Sequence, residues 1–283
     1  MDVGLLMLAG GVAAGAFGSL LGLGGGILIV PLLTLGFGLD LRAAVGVSLV
    51  CVIMTSSAAA GVYLERHVAN LRLGMSLELF TAIGAMVGGS IAFLVDERLL
   101  SALFAALLGY VAFTMMRAAT RDAAGAAGEA TPTAEVVAGS VARVRSGARI
   151  EFLASVSGPD YEVRNLGRGI VGATGAGIAS ALLGIGGGIV KVPLMHLAMG
   201  VPLRVATATS NLMIGITAAA SAVIYLLRGE IDPYVAGPTA IGVFLGASVG
   251  SRVAHRIGLH YLRWLFVAVM VYTAVQMLLR AVS

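Results

Sequence analysis

Two stretches of this chain set three consecutive glycines inside apolar sequence, GSLLGLGGGILIVPLL from Gly18 to Leu33 and SALLGIGGGIVKVPLM from Ser180 to Met195. In each, a proline (Pro31 or Pro193) stands seven residues after the first glycine of the triplet. Glycine runs break helices. A helix restarting just past the break, at Ile27 or Ile189, would aim free N–H groups and the positive end of its dipole into the gap. Such a terminus suits an anion. The polar residues that follow have matching chemistry. Ser48 and Ser210 hold equivalent positions, Thr209 and Asn211 flank Ser210, and their hydroxyl and amide groups can donate to oxyanion oxygens. Lys191 is the only lysine in the chain and lies in the second broken segment, opposite Ile29 in the first. A cation at membrane depth is costly and marks a functional candidate. The candidate anion-binding set is therefore Gly24, Gly25, Gly26, Ser48, Gly186, Gly187, Gly188, Lys191, Thr209, Ser210 and Asn211.

Each of these residues also has a structural reading. Glycines let membrane helices pack closely, and a hydroxyl can bond back to its own helix. Lys191 is either a substrate counter-ion or a side chain snorkelling to an interface. A single triplet would favour packing; two in matched positions favour a broken-helix site. Thr55, Ser56 and Ser57 read as packing residues. Neither glycine run is a nucleotide loop, because no Lys-Ser or Lys-Thr follows it. The four histidines (His67, His196, His255, His260) share no metal-ligand spacing, and His196 alone reads as buried, a candidate for proton coupling. No nucleophile–base pair is readable, and the acids lie nearly all in loops. The expectation is no enzyme, no metal and no cofactor.

These residues have to be positioned by membrane helices. The 283-residue chain is 59% hydrophobic and 11% charged, with a mean hydropathy of +1.00. Soluble domains carry about 25% charged residues. Long windows almost free of charge run from Ala43 to Leu64, Leu73 to Val95, Leu99 to Met116, Val205 to Leu227, Tyr234 to Ser251 and Tyr261 to Leu279. Each can cross a hydrocarbon core of about 30 Å. The net charge of +4 sits in loops, which points to orientation in the bilayer rather than to nucleic-acid binding. The lone Cys51 permits no internal disulfide, and the first basic residue is Arg42, so no cleaved signal peptide is expected.

A polar stretch from Ala119 to Asn165 divides the chain into hydrophobic halves, 1–118 and 166–283. Within this stretch, Val141 to Val156 alternates weakly, as a hairpin or amphipathic element would, although a poorly ordered linker suits the composition better. The halves align at a constant offset that pairs Gly22 with Gly184, Pro31 with Pro193, Arg42 with Arg204, Ser48 with Ser210 and Tyr63 with Tyr225. Further on, AIGAMVGGS (Ala82 to Ser90) resembles AIGVFLGAS (Ala240 to Ser248) at a slightly shorter offset. Each half reads as one broken segment plus three full spans. Basic residues favour opposite ends of the two halves: Arg66, His67 and Arg72 in the first, Arg252, Arg256 and Arg263 in the second. Placing these loops and the linker, flanked by Arg117, Arg121, Arg164 and Arg168, in the cytoplasm makes the repeats inverted. Arg42 and Arg280 then sit outside, against the rule. Inversion needs an odd number of crossings per half, so the broken segment contributes none or two. A re-entrant pair of half-helices fits, since Ile27 to Phe37 spans only about 16 Å. The expected fold is an all-α polytopic bundle of two inverted repeats.

The pattern GxGGG-x4-P, Gly22 to Pro31 and Gly184 to Pro193, is followed by AAVGVSL (Ala43 to Leu49) and VATATSNL (Val205 to Leu212). In this it resembles the sulfite exporter TauE/SafE family, over both hydrophobic halves. The resemblance implies a multi-pass, homodimeric permease of the cell (inner) membrane that moves sulfite, sulfonates or other small organic anions. The family's glycine-rich turns and Ser/Thr-rich helix starts carry over onto the positions just quoted. This chain departs in its long linker and in having Asn211 where the first half has Leu49. The expected function is anion export by alternating access. A proton-coupled uptake permease, a passive anion channel and a non-transporting scaffold are the alternatives.

Overall fold

The computed structural model describes residues 3–20, 26–65, 69–125, 157, 161, 163–253 and 259–282. Gly24, Gly25, Arg66, His67, His255, Arg256 and the Val141–Val156 element lie outside the described residues. The described chain is helical: α1 (Val3–Leu20), α2 (Gly26–Pro31), α3 (Leu41–Glu65), α4 (Leu71–Ala92), α5 (Glu97–Gly125), α6 (Leu166–Leu183), α7 (Gly188–Pro193), α8 (Leu203–Leu227), α9 (Pro233–Val253) and α10 (Leu259–Val282). Five of these, α3, α4, α5, α6 and α8, are long and apolar enough to cross a bilayer. The windows expected at Tyr234–Ser251 and Tyr261–Leu279 fall on α9 and α10.

The chain breaks at both glycine runs. α2 and α7 are each prolonged by a π-helical turn, Leu32–Gly36 and Leu194–Ala198. Pro31 and Pro193 explain the change of pitch. Proline offers no N–H and crowds the preceding turn, so the ladder widens beyond it. The resulting rods, Gly26–Gly36 and Gly188–Ala198, are about 16 Å long, half a hydrocarbon core. They begin one residue before the expected Ile27 and Ile189. Both close on the same cap: Gly38 and Gly200 take φ of 70° and 73°, and the N–H groups of Leu39 and Val201 reach back to Leu33 O at 3.1 Å and Met195 O at 3.0 Å. Each bond reaches back six residues, one more than in a Schellman closure, as the wider π-helical turn before it requires. The helices before the breaks are not the half-helices expected. α1 and α6 have 18 residues each, about 27 Å, because glycines within them such as Gly11, Gly15 and Gly177 are packed against the backbone of a neighbouring helix.

Glycine contacts give the directions of the helices. In the second half Gly169 faces Met199 and Gly172 faces Leu194, so α6 and the α7 rod form a hairpin; in the first, Gly10 faces Leu32 likewise. α3 and α8 run antiparallel, with Gly46 beside Tyr225 and Ser56 beside Gly215. α4 runs parallel to α6, with Gly84 and Gly88 against Thr174 and Ile178, and α1 parallel to α9, with Gly11 and Gly15 against Thr239 and Val243. A methyl added at Gly177 would overlap the Thr81 carbonyl, and one at Gly246 the Val12 carbonyl. Without a hydrophobic force between helices in lipid, such backbone approach supplies the packing. α5 lies along α10.

Candidate functional site

The start of α2 meets the second glycine break. α6 ends on Gly184, with φ of 68°, and Gly186 and Gly187 follow at 76° and 75°, a left-handed run that side chains resist. A Cβ on Gly26 would stand only 2.7 Å from Gly184 O, so the start of α2 abuts the second break. Ser48 sits at the junction: its Oγ lies 2.7 Å from Gly184 O and 3.2 Å from Gly26 O. Its hydroxyl donates to the Gly184 carbonyl, which the end of α6 leaves without a helical partner, with the Gly26 carbonyl as a second, longer acceptor, and so fastens one half to the other. Of the first triplet, only Gly26 is among the described residues.

Ser210, the repeat equivalent of Ser48, is used differently. Its Oγ and that of Ser180 are buried without any hydrogen-bond partner, and each residue is 1% exposed. Both lie against the second triplet. A Cβ on Gly188 would be 3.7 Å from Ser210 Oγ, and one on Gly187 would be 3.3 Å from Ser180 Cβ. A buried hydroxyl left unpaired costs about 1–3 kcal/mol. α7 starts beside them: the N–H groups of Val190 and Lys191 turn back to Gly187 O at 3.2 and 3.0 Å, while those of Gly188 and Ile189 have no acceptor within the helix. Ser180 beside Gly187 and Ser210 beside Gly188 thus flank the start of α7. Ser180 bounds the repeated segment in the sequence, but its partner in the first half is Gly18, so symmetry gave no reason to select it.

Lys191 is neither a free counter-ion nor a snorkelling side chain. It is 1% exposed, and its Nζ lies 3.2 Å from Glu78 Oε2 of α4. The ammonium also donates to Thr217 Oγ1 of α8 at 2.5 Å, and the threonine hydroxyl donates onward to Glu78 Oε1 at 2.7 Å. Three elements are locked by one closed ring of polar groups in an apolar interior. Glu78, 3% exposed, corrects the expectation that acids keep to loops. The signal was an acid in the middle of LGMSLELFTAIG, diluted by counting charge over the window Leu73–Val95. The equivalent places in the other half hold Ile29, Thr55 and Ala236, and Thr55 bonds back to Val52 O at 3.0 Å. The ion pair therefore occurs in one half only.

The remaining expected residues are scattered. Thr209 Oγ1 accepts the N–H of Asn70 at 2.9 Å, at the start of α4 and away from the break. Asn211 offers its main-chain carbonyl to Ser56 Oγ at 2.5 Å, so Ser56 joins α3 to α8. Ser57 bonds to Ile53 O, as a packing residue does. His196 sits on the π-helical turn with Nδ1 2.9 Å from Val201 O. Arg42 donates to Val95 O at 2.8 Å and lies 5.9 Å from the centre of the Phe93 ring, which Arg228 approaches at 5.1 Å. The side chain of Arg204 is outside the described residues.

The family model described as Sulfite exporter TauE/SafE matches residues 7–277. The chain is 25% identical over 260 residues, 89% of each protein, to the "Probable membrane transporter protein YunE" of Bacillus subtilis (strain 168). It is 26% identical over 277 residues to a "Probable membrane transporter protein" of Xylella fastidiosa (strain 9a5c), covering 96% of this chain and 94% of that one. Over 88 residues, 31% of this chain and 20% of the relative, it is 33% identical to "Sulfite exporter TauE/SafE family protein 6" of Arabidopsis thaliana. No solved structure matches.

Proposed function

The chain belongs to the sulfite exporter TauE/SafE family, a family of multi-pass membrane transporters, and we propose that it exports a small oxyanion bound at the second glycine break. Sulfite, sulfonates and related organic acids form the substrate class. The observation that carries this reading is that Ser180 and Ser210, whose hydroxyls are both buried and unpartnered, lie beside Gly187 and Gly188 where α7 opens. These groups donate and carry no charge of their own, so they suit an acceptor-only solute. Thr209, already occupied by Asn70, has no part in the site. Gly26 and Ser48 form its wall through contact with Gly184.

Alternating access is the mechanism proposed, between halves 1–118 and 166–283 arranged as inverted repeats, with the 119–165 linker on the cytoplasmic side of the inner membrane. The antiparallel run of the equivalent helices α3 and α8 supports inversion, as do the two matching hairpins and the exchanged pairings α1 with α9 and α6 with α4. A hairpin that enters and leaves by the same face adds no net crossing and leaves an odd number per half. The inside-negative potential favours exit by about 2.3 kcal/mol per net negative charge per 100 mV.

The test is efflux from proteoliposomes loaded with sulfite, short sulfonates or short carboxylates, with Ser180→Ala/Ser210→Ala alongside the wild type. Selective, saturable flux in the wild type and a raised half-saturation in the variant are expected. Absence of flux for every anion refutes the reading, and throughput far above carrier rates replaces it with a channel.

A further inference from the structure

We propose that Glu78 is a proton-binding site that couples anion movement to proton movement, with the Lys191 ammonium passed between Glu78 and the anion. The inference rests on the transport reading above and adds the coupling ion. Lys191 reaches both places. Its ammonium is 3.2 Å from Glu78 Oε2, while its Cε lies 3.6 Å from where a Cβ on Gly187 would be. An anion held among Gly187, Ser180 and Ser210 is thus a second negative partner within range of the same ammonium.

The consequence follows from burial. When Lys191 turns to the anion, Glu78 keeps only the Thr217 hydroxyl. A carboxylate in a dry interior without its counter-charge is far less stable than the neutral acid. It takes a proton from hydronium in the aqueous phase: one O–H bond of hydronium breaks, the O–H bond of the carboxylic acid forms, and a water molecule is left. When the anion leaves, Lys191 returns and the proton departs. The groups facing Glu78 are few. Among the described side chains, α7 contributes Lys191 and α8 contributes Thr217. On α8, Tyr225 is turned to Ala181 O at 3.0 Å. Arg168 of α6 and Arg72 of α4 itself are exposed. Because Ile29, Thr55 and Ala236 fill the equivalent positions of the other half, there is one such pair, and one proton moves with each anion. A monoanion then crosses with no net charge, and the membrane potential acts only on dianions.

The experiment uses the full chain in proteoliposomes, with ethanesulfonate as the exchanged anion. Ethanesulfonate stays ionised throughout, so any proton moved is moved by the protein. Counterflow is measured at pH 6, 7 and 8, and an internal dye reports proton movement during net flux. Binding one proton with each anion raises the wild-type half-saturation about tenfold per pH unit across the range in which free Glu78 is ionised, and net flux carries one proton per anion. Glu78→Gln, which imitates the protonated acid, keeps counterflow, has a half-saturation that no longer changes with pH, and moves no protons. Lys191→Met/Glu78→Gln, with both charges gone, assembles but loses counterflow. Wild-type exchange with a half-saturation indifferent to pH and no proton movement overturns the inference and leaves the transport reading standing. No exchange of ethanesulfonate or sulfite refutes the transport reading itself. If Glu78→Gln fails to assemble, the wild-type proton count and pH slope decide alone.

Discussion

Removing the charges of the Lys191–Glu78 ring one at a time should be far more damaging than removing both. Lys191→Met leaves Glu78 with the Thr217 hydroxyl alone, and Glu78→Met leaves the ammonium with that same hydroxyl. Breaking a buried pair from one side costs about 3–5 kcal/mol. At about 1.4 kcal/mol per factor of ten, each single variant should unfold roughly a hundred to several thousand times more readily. In Glu78→Met/Lys191→Met the cavity is filled by two apolar chains. Thr217 is not stranded, because its Oγ1 already lies 3.1 Å from Met213 O. The double variant should therefore fall within about 1 kcal/mol of the wild type, or exceed it. The four proteins would be compared by SDS titration or thermal unfolding after purification in a mild detergent. Losses that add in the double variant to within about 0.5 kcal/mol of the sum would refute the reasoning, since independent side chains add and a closed ring does not.

Three further outcomes separate the roles assigned to small residues. Ser48→Ala should lower stability by about 1–3 kcal/mol, because it strands the carbonyl of Gly184; Ser210→Ala, which removes an unpaired buried hydroxyl, should raise stability and weaken anion binding, so the two variants shift melting in opposite directions. Gly246→Leu should prevent assembly by overlapping the Val12 carbonyl, whereas Gly175→Leu, with nothing within 4 Å of its Cβ position, should give a normal gel-filtration profile. Gly186→Ala should cost about 2–4 kcal/mol in the same unfolding assay, combining left-handed strain of about 1–2 kcal/mol with a methyl 2.5 Å from Ile214 Cγ2 and 2.7 Å from Val52 Cγ1; the paired Ile214→Ala should relieve the first overlap but neither the second nor the strain.

Much of the frame could be read from residue order. The breaks, the length of the rods after them and the matching of Ser48 with Ser210 follow from glycine and proline chemistry, which is local. Partnerships between distant helices do not. Glu78 and Lys191 are 113 positions apart, and no periodicity on α4 indicates which neighbour its acid will meet. The asymmetry was half visible, since Ile29 opposite Lys191 announces a charge in one half alone. Nor could spacing reveal that Thr209 would serve Asn70 while Ser210 went unpaired, because adjacent residues on a helix point about 100° apart and only the packed neighbours decide which one faces the break. The length of the helices before each break is hidden in the sequence for a related reason. A single glycine is tolerated where a neighbour's backbone fills the space it leaves, and Gly11 and Gly15 have α9 there.

Ser48 has one hydrogen to give and two carbonyls beside it, at 2.7 and 3.2 Å. Whatever tightens its grip on one hairpin slackens its hold on the other, so the pair behaves like an escapement with a single pawl. Under the alternating access proposed above, each arm would be released only as its counterpart is caught, so that no passage would stand open at both ends.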